Sequence, residues 1–217
     1  MRRYARNVFV VLFAFLAAGQ AVAAPGATSN AQDALNTLRQ QAELARQRTV
    51  PPPPAGVIEL QWQELSPAGW NPKKTLDRLG VAALEDDDPR APAIMAEIRR
   101  EWEQAPAVNG APAKPVRMLG FPVMPDNAAG NTRQVILAPY YGACMHNPTP
   151  AANQMVLVTL RDDMPRSMYQ YPVWITGKLQ IKNSSTRQGR VAYSMADAIW
   201  EAYPFKKYPM PQYQWPR

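Results

Sequence analysis

Cys144 and His146 are the two residues of this sequence whose types and spacing could carry chemistry. They are the single cysteine and the single histidine among 217 residues, and one residue separates them. In an extended backbone, side chains two positions apart point to the same side, so the thiolate and the imidazole would converge. A sulfur and a nitrogen ligand on one face suit zinc or copper. The spacing therefore predicts a transition-metal site at Cys144 and His146.

The sequence leaves open how such a site is completed. One chain supplies two good ligands, whereas a closed zinc site needs about four. Two copies of the motif in a homodimer would offer two cysteines and two histidines. Alternatively, a thioether, a carboxylate or an amide of the same chain completes a mixed site. The candidates are Met118, Met124, Met145, Met155, Asp126, Asn153, Asp162 and Asp163.

Two other interpretations of Cys144 stay open. Free cysteine is among the residue types most often buried, so the motif could be a packed turn without a metal. A cysteine enzyme or thiol-redox protein would also need an orienting group and an oxyanion site, which the sequence does not reveal. We therefore predict no catalytic residue. One cysteine excludes an intramolecular disulfide, and one cysteine with one histidine excludes a zinc finger within one chain.

The N-terminus predicts export. Arg2, Arg3 and Arg6 precede an apolar run at residues 8–18, which leads to the small residues Ala21 and Ala23. This order is typical of a secretory signal peptide, and we predict cleavage after Ala23. The apolar run is too short to span a bilayer as a helix, which needs about 20 residues. With no cysteine near the cut, we expect a periplasmic protein that is neither lipid-anchored nor membrane-spanning.

The charge of the mature chain gives little support to nucleic-acid binding. The formal charge is +7, and loss of three arginines with residues 1–23 lowers it to +4. An outward face with Trp174, Lys178 and Lys182 could imitate a nucleic-acid surface. Export argues against that partner. We therefore expect no nucleic acid, and a periplasmic protein as the partner.

The remaining chain divides into three parts. Residues 24–56 predict a leader helix, beginning near Ser29 and ending near Thr49, and a polyproline linker at residues 51–54. Residues 57–203 predict a single β-rich domain. Residues 204–217 mix proline, aromatic and basic residues without periodicity. This tail is disordered, or lies along the domain surface, or docks in an aromatic groove or at a membrane interface.

Within the domain, short alternating runs predict strands and two longer apolar repeats predict helices. Helices are predicted at residues 72–79 and 89–104, and strands at 57–65, 116–123, 134–138, 155–160, 173–181 and 191–200. We expect a mainly β fold with flanking helices, in the form of a small antiparallel OB-like barrel. An open α+β sheet is the alternative. Trp62 and Trp102 are predicted core residues, whereas Trp174 falls on the wet face of its strand.

Three stretches resemble a known family. They are Pro-Tyr-Tyr-Gly-Ala-Cys-x-His-x-Pro-x-Pro-x-x-Asn-Gln at 139–154, Tyr171-Pro-Val-Trp-Ile-Thr-Gly-Lys-Leu179, and Ala192-Tyr193 with Glu201-Ala-Tyr203. Together they resemble a bacterial exported family catalogued as domain of unknown function 3299, from about Ile58 to Tyr203. The resemblance implies an envelope protein, exported or lipid-anchored, whose genes often accompany ABC-type export or metal-uptake systems. It implies no established catalytic activity. The chain departs from the family at Thr149, Ala151 and Ala152, where proline is commoner, and in lacking a lipidation cysteine.

These observations lead to one leading functional hypothesis. We expect an exported periplasmic accessory or binding protein that binds a transition metal or supports an envelope ABC-type transport system. The first alternative is a metal-free scaffold or partner-binding barrel, in which residues 139–154 form a rigid recognition surface. The second is a cysteine-dependent redox protein or enzyme, which requires a depressed thiol pKa.

Overall fold

The computed structural model describes residues 32–40, 50–85, 87–123, 130–143, 148–209 and 213. The chain divides into two units, Met1–Leu44 and Ala45–Arg217. In the first unit, residues 32–40 form helix α1, and its side chains are all exposed, those of Leu35 and Leu38 included. This helix lies inside the predicted leader helix. The predicted signal peptide, residues 1–23, and the rest of the leader helix lie outside the described residues.

The described part of the second unit contains two α-helices and six strands. They are β1 (Ile58–Glu59), α2 (Pro72–Arg78), α3 (Ala91–Glu103), β2 (Val116–Val123), β3 (Thr132–Ala138), β4 (Val156–Met164), β5 (Val173–Thr186) and β6 (Gly189–Ala202). Short 3-10 turns lie at Trp62–Leu65, Val81–Ala83, Ala152–Gln154 and Arg166–Gln170. The predicted mainly β composition with flanking helices is therefore confirmed. None of the described helices combines the length and apolar character needed to cross a bilayer.

Both predicted helices of the domain are present. The side chain of Asn71 accepts a hydrogen bond from the backbone N–H of Lys73 at 2.8 Å, and Pro72 occupies the first turn of α2. This is a favourable helix start, because proline has no N–H to leave unpaired. In α3, Ile98 and Trp102 lie one turn apart and are both buried. The predicted burial of Trp102 is therefore confirmed.

The six strands form one sheet in the order β1-β2-β3-β4-β6-β5, and β2 also pairs with β5. The pairs β1–β2 and β4–β6 are parallel and the other pairs are antiparallel. Strand β2 divides its pairing between two neighbours. Its residues from Val116 to Gly120 pair with β5, and those from Phe121 to Val123 pair with β3.

Gly120 occupies the position where β2 reaches β3. A Cβ atom at Gly120 would lie 2.7 Å from the backbone oxygen of Ala138 and 2.8 Å from Cγ of Leu137. Any side chain there would force one of these neighbours to move, since real Cβ contacts are longer. A residue without a side chain is therefore needed for β2 and β3 to approach each other so closely.

The predicted strand at residues 57–65 is wrong beyond Glu59. The chain leaves the sheet and forms the 3-10 turn Trp62–Leu65, because the carboxylate of Glu64 accepts the backbone N–H of Gln61 at 2.7 Å. The indole N–H of Trp62 then donates to the carbonyl of Leu119 at 2.8 Å. Trp62 is buried as predicted. Its side chain, rather than a strand backbone, pairs with β2 at this point.

Two residues of β5 depart from the predicted alternation of buried and wet faces. Trp174 is predicted to lie on the wet face of β5, but it is only 6% exposed. The guanidinium of Arg117 lies 4.1 Å from the centre of its ring, and Tyr203 contacts its edge. Ile181 has the same parity along β5 as the buried residues Ile175 and Leu179, but it is 41% exposed. It lies where β5 and β6 continue as a two-stranded hairpin.

Arg117 itself is a buried cation with several partners. Its guanidinium donates to the carbonyl of Pro51 at 2.7 Å and to that of Pro52 at 3.3 Å. It also forms a salt bridge of 2.6 Å with Glu59. Hydrogen bonds and an aromatic face offset the cost of burying the charge. Arg117 therefore fixes the end of the polyproline segment against the sheet.

Candidate functional site

The structure leaves the predicted metal site untested. Cys144 and His146 lie outside the described residues, as do the potential ligands Met124, Asp126 and Met145. Within the described ranges, no three His, Cys, Asp or Glu side chains come together in a group that could hold a metal ion. The metal-site prediction therefore stays a prediction.

The described potential ligands lie in different surroundings. Met118 is fully buried in the main core, and Met155 is buried in a separate small apolar cluster. Asp162 and Asp163 are exposed, and Asp163 pairs with Arg133 at 2.8 Å. The described structure therefore does not bring these side chains together as a ligand set.

The segment on either side of residues 144–147 is anchored to the domain. Ala143 is 1% exposed and belongs to the small cluster, together with Ile136, Met155 and Val191. On the other side, Pro150, Ala151 and Ala152 are buried. On β3, Ile136 of this cluster alternates with the core residues Val135 and Leu137, so this part of the cluster lies on the opposite face of the sheet. Both flanks of the predicted site are thus packed structure.

Gln154 is the centre of a buried hydrogen-bond network at the end of this segment. Its side-chain amide donates to the carbonyl of Trp62 at 3.1 Å and to the hydroxyl of Ser66 at 2.9 Å, and it also contacts the carbonyl of Asn153 at 3.0 Å. Its oxygen accepts a hydrogen bond of 2.9 Å from the hydroxyl of Tyr213. The residue is 1% exposed. A buried amide whose donors and acceptor are occupied fixes the segments that it joins.

Asn153 and Tyr193 tie the same region to the loop that follows α3. The amide of Asn153 donates to the carbonyl of Pro106 at 2.9 Å, while its oxygen has no hydrogen-bond partner among the described residues. The hydroxyl of Tyr193 donates to the carbonyl of Leu65 at 2.7 Å and accepts from the backbone N–H of Val108 at 2.8 Å. Burial raises the pKa of Tyr193, while the hydrogen bond from Val108 opposes that rise. Tyr193 is therefore held as a neutral donor.

The tail reaches this network through Tyr213. Its ring lies 5.5 Å from that of Tyr140, centre to centre, and its hydroxyl donates to Gln154. Burial raises the pKa of Tyr213 strongly, and the neighbouring Tyr140 contributes in the same direction. At this one residue the tail packs against the domain. The rest of residues 210–217 lies outside the described residues.

A narrow crevice adjoins the segment beside α3. It is too narrow to hold a water molecule. Its lining comprises Arg99, Trp102, Glu103, Thr149, Pro150, Met155, Gly189 and Arg190. Three parts of the chain that are far apart in sequence therefore meet beside Thr149: the end of α3, residues 149–155 and the start of β6.

Comparison with known families decides the family of the chain. The model of the family described as "Protein of unknown function (DUF3299)" matches residues 62–201, which is more than half of the chain. The chain belongs to the DUF3299 family. This match confirms the family that the sequence resembles. That residues 139–154 form the signature of DUF3299 remains a prediction.

A solved structure of another DUF3299 protein is similar to this one. It is the crystal structure of a DUF3299 family protein from Pseudomonas aeruginosa PAO1, with 26% sequence identity and a TM-score of 0.53. The likeness covers 68% of this chain and 96% of that chain. None of the curated proteins with which the sequence was compared matches it. The similarity supports the fold of the DUF3299 domain.

Sequence reasoning missed most of the residues that form the network. Asn153, Gln154 and Tyr193 lie within the stretches that resemble the family, but nothing in those stretches predicts a hydrogen-bond network, and Ser66 and Tyr213 lie outside them. The run of tyrosines in the tail was the available signal, because a tyrosine can bury its ring while its hydroxyl keeps a partner. Nothing in the spacing of Gln154 and Tyr213 predicts their contact, since they meet only through the folded DUF3299 domain.

Proposed function

We propose that this DUF3299 protein is an exported periplasmic binding or accessory protein built on an OB-like barrel. The barrel is supported by the pairing of β2 with both β3 and β5, because the pairs β2–β3, β3–β4, β4–β6, β6–β5 and β5–β2 then follow one another in a cycle. Five-stranded OB-fold barrels bind ligands on one face and the adjoining loops. The signal peptide predicted from the sequence at residues 1–23 supports the compartment.

The observation that carries the proposal is the anchoring of residues 148–154. Gln154 and Asn153 bind the backbone of residues 62 and 106, and Tyr213 closes the network from the tail. Preorganised segments lose little conformational entropy when they bind, which makes them suitable recognition elements. A binding role needs such a rigid segment and does not need an assembled catalytic group.

The ligand that fits the sequence best is a transition metal held by Cys144 and His146. A thiolate and an imidazole favour zinc or copper. The nearest described residues on either side that are buried are Ala143 and Pro150. A homodimer would supply two of each ligand, and an envelope ABC-type transport system is the kind of partner that would receive or deliver the metal.

Native mass spectrometry with elemental analysis tests the metal. The full gene is expressed, and the product is purified under reducing conditions and supplied with zinc or with copper(I) in separate samples. We expect one metal per chain or per pair of chains, lost in Cys144→Ala and in His146→Ala. The matched control is Ser167→Ala, an exposed substitution in a different loop, which keeps the metal.

Metal-free spectra for the wild type and both variants, with unchanged folding, would overturn the metal assignment. Intact masses of the same samples also report whether residues 1–23 have been removed. Retention of those residues by the exported product would contradict the predicted cleavage after Ala23. The chain count in the spectra decides between a site within one chain and a site shared by two.

A metal-free partner-binding barrel is the second candidate, and the exposure of Tyr141 favours it. Tyr141 is 51% exposed and packs edge-on against Phe121, with 5.9 Å between the ring centres. Exposed, supported tyrosines are common anchors of protein interfaces. A photo-crosslinking residue at position 141 should give a discrete adduct in cells, and the same residue at Lys178, exposed on β5, should not. Equal adduct patterns at both positions would reject Tyr141 as an anchor.

A further inference from the structure

A group of exposed aromatic and basic side chains lies where the end of β6 meets the turn before β5. It comprises Arg166, Tyr169, Tyr171, Phe205, Lys206 and Lys207, and we call it the aromatic–basic patch. Tyr169, Tyr171 and Phe205 are 40%, 42% and 41% exposed. The rings of Tyr171 and Phe205 stack, with 5.7 Å between their centres. Large exposed rings that lie together indicate a contact surface.

The backbone holds the patch in a defined shape. Tyr203 is 2% exposed, and its backbone N–H donates to the carbonyl of Pro172 at 3.0 Å, which joins the two segments. Its hydroxyl donates to the carbonyl of Pro209 at 2.6 Å. The backbone N–H groups of Lys207 and Tyr208 both donate to the carbonyl of Pro204, at 2.8 and 3.0 Å. The rings and lysines are therefore presented by an ordered turn.

The charge of the patch has one sign. Residues 165–172 and 203–209 contain one arginine and two lysines and no aspartate or glutamate. Lysine ammonium groups on flexible stems act as point charges, whereas recognition of a single carboxylate favours the planar fork of arginine. Such a patch is complementary to a surface that carries many anionic groups and does not require any one of them to be held in a fixed position.

We infer that the aromatic–basic patch binds the surface of an anionic phospholipid bilayer. Tyrosine rings favour the interface between headgroups and acyl chains, because the ring is apolar and the hydroxyl stays hydrated. Lysine stems can extend along apolar surface to reach the phosphates. A fluid interface needs no preformed pocket, so two stacked exposed rings can contact it directly. Binding of this kind is peripheral and reversible.

Vesicle flotation tests the inference. The full gene is expressed and the processed product is mixed with vesicles of phosphatidylglycerol and phosphatidylethanolamine in equal parts, or of phosphatidylcholine alone. We expect the wild type to float with the anionic vesicles and to be released by salt. Lys206→Gln with Lys207→Gln should lower the partition coefficient about 30-fold, since each basic residue near an anionic surface contributes roughly fivefold.

The matched control is Lys178→Gln with Lys182→Gln, which removes the same charge from an exposed part of β5. It should leave the partition coefficient within about twofold of the wild type. Tyr171→Ser and Phe205→Ser should each lower binding about tenfold through loss of apolar contact. Urea unfolding of every variant separates loss of binding from loss of the fold.

Three results would overturn the inference. They are failure of the wild type to float with anionic vesicles at low salt, equal flotation with phosphatidylcholine, and equal loss of binding in the patch and control variants. The last result would show that net charge alone drives association. The lysine variants leave the aromatic rings in place. They therefore test binding to anionic vesicles even if the ring variants do not fold.

Discussion

The hydroxyl of Tyr213 and the amide of Gln154 should be energetically coupled. Their hydrogen bond is 2.9 Å long and partly buried, and it joins the tail to the domain. A neutral hydrogen bond of this kind contributes about 1 kcal/mol to stability. We therefore expect Tyr213→Phe, which keeps the ring beside Tyr140 and removes the hydroxyl, to lower the free energy of unfolding by about 1 kcal/mol.

Gln154→Met should have a larger effect. The methionine side chain has a similar volume but removes the donors to Trp62 and Ser66 and the acceptor for Tyr213. Each buried polar group left without a partner costs about 1–3 kcal/mol, so we expect a total loss of about 3 kcal/mol. In the double variant the losses should fall short of additivity by about 1 kcal/mol, because both single variants break the same bond.

Urea unfolding followed by tryptophan fluorescence measures these values, provided that the slope with urea is the same for all four proteins. The matched control is Tyr208→Phe, whose hydroxyl takes part in no hydrogen bond with the described residues. It should change the free energy of unfolding by less than about 0.5 kcal/mol. Full additivity of Tyr213→Phe and Gln154→Met, or no effect of Tyr213→Phe, would refute the docked position of the tail.

Three further predictions concern pH, a glycine and the buried arginine. Burial raises the pKa of Tyr213 above its unfolded value of about 10. The neutral phenol therefore stabilises the fold fully below that pH, and this stabilisation is lost as the pH rises toward the folded pKa. In urea unfolding at alkaline pH, the free energy of unfolding should fall less steeply with pH for Tyr213→Phe than for the wild type. Gly120→Ala should lower the free energy of unfolding by about 1–3 kcal/mol through overpacking, whereas Gly110→Ala, with open space around its Cβ, should change it by less than about 0.5 kcal/mol in the same urea assay. Arg117→Met should lower the free energy of unfolding, measured with denaturant, by about 2–3 kcal/mol. Arg117→Lys should also be destabilised, because one ammonium cannot replace the guanidinium contacts to both proline carbonyls and Glu59. Wild-type stability in Arg117→Lys would contradict this.

The strands of the domain could be predicted because their side chains alternate. Val173, Ile175 and Leu179 are buried, while Lys178 and Gln180 on the other face are exposed. The full length of β5 could not be predicted, since residues 182–186 are polar on both faces. They are strand because β6 pairs with them across the hairpin. Pairing partners that are distant in sequence are absent from a local pattern.

The two errors near Trp62 and Trp174 have a related cause. Alternation predicted a longer strand after Ile58, but the capping of Gln61 by Glu64 and the bond of the Trp62 indole to Leu119 end it. Similarly, the wet face assigned to Trp174 is covered by Arg117. In both places a side-chain contact that the alternation does not reveal decides the local structure. The candidate site was predicted only as a short motif, because its buried contacts arise after the chain has folded.

The contacts of Arg117 also bear on how the end of the sheet behaves toward other chains. Strand β1 is at one end of the strand order and has two residues, and Pro51 to Pro54 shortly precede it. Prolines offer no N–H to a neighbouring strand. Arg117 occupies the carbonyls of Pro51 and Pro52, and the backbone N–H of Val57 occupies that of Pro54. A second molecule approaching this edge finds few groups with which to extend the sheet, so this end is protected against edge-to-edge aggregation.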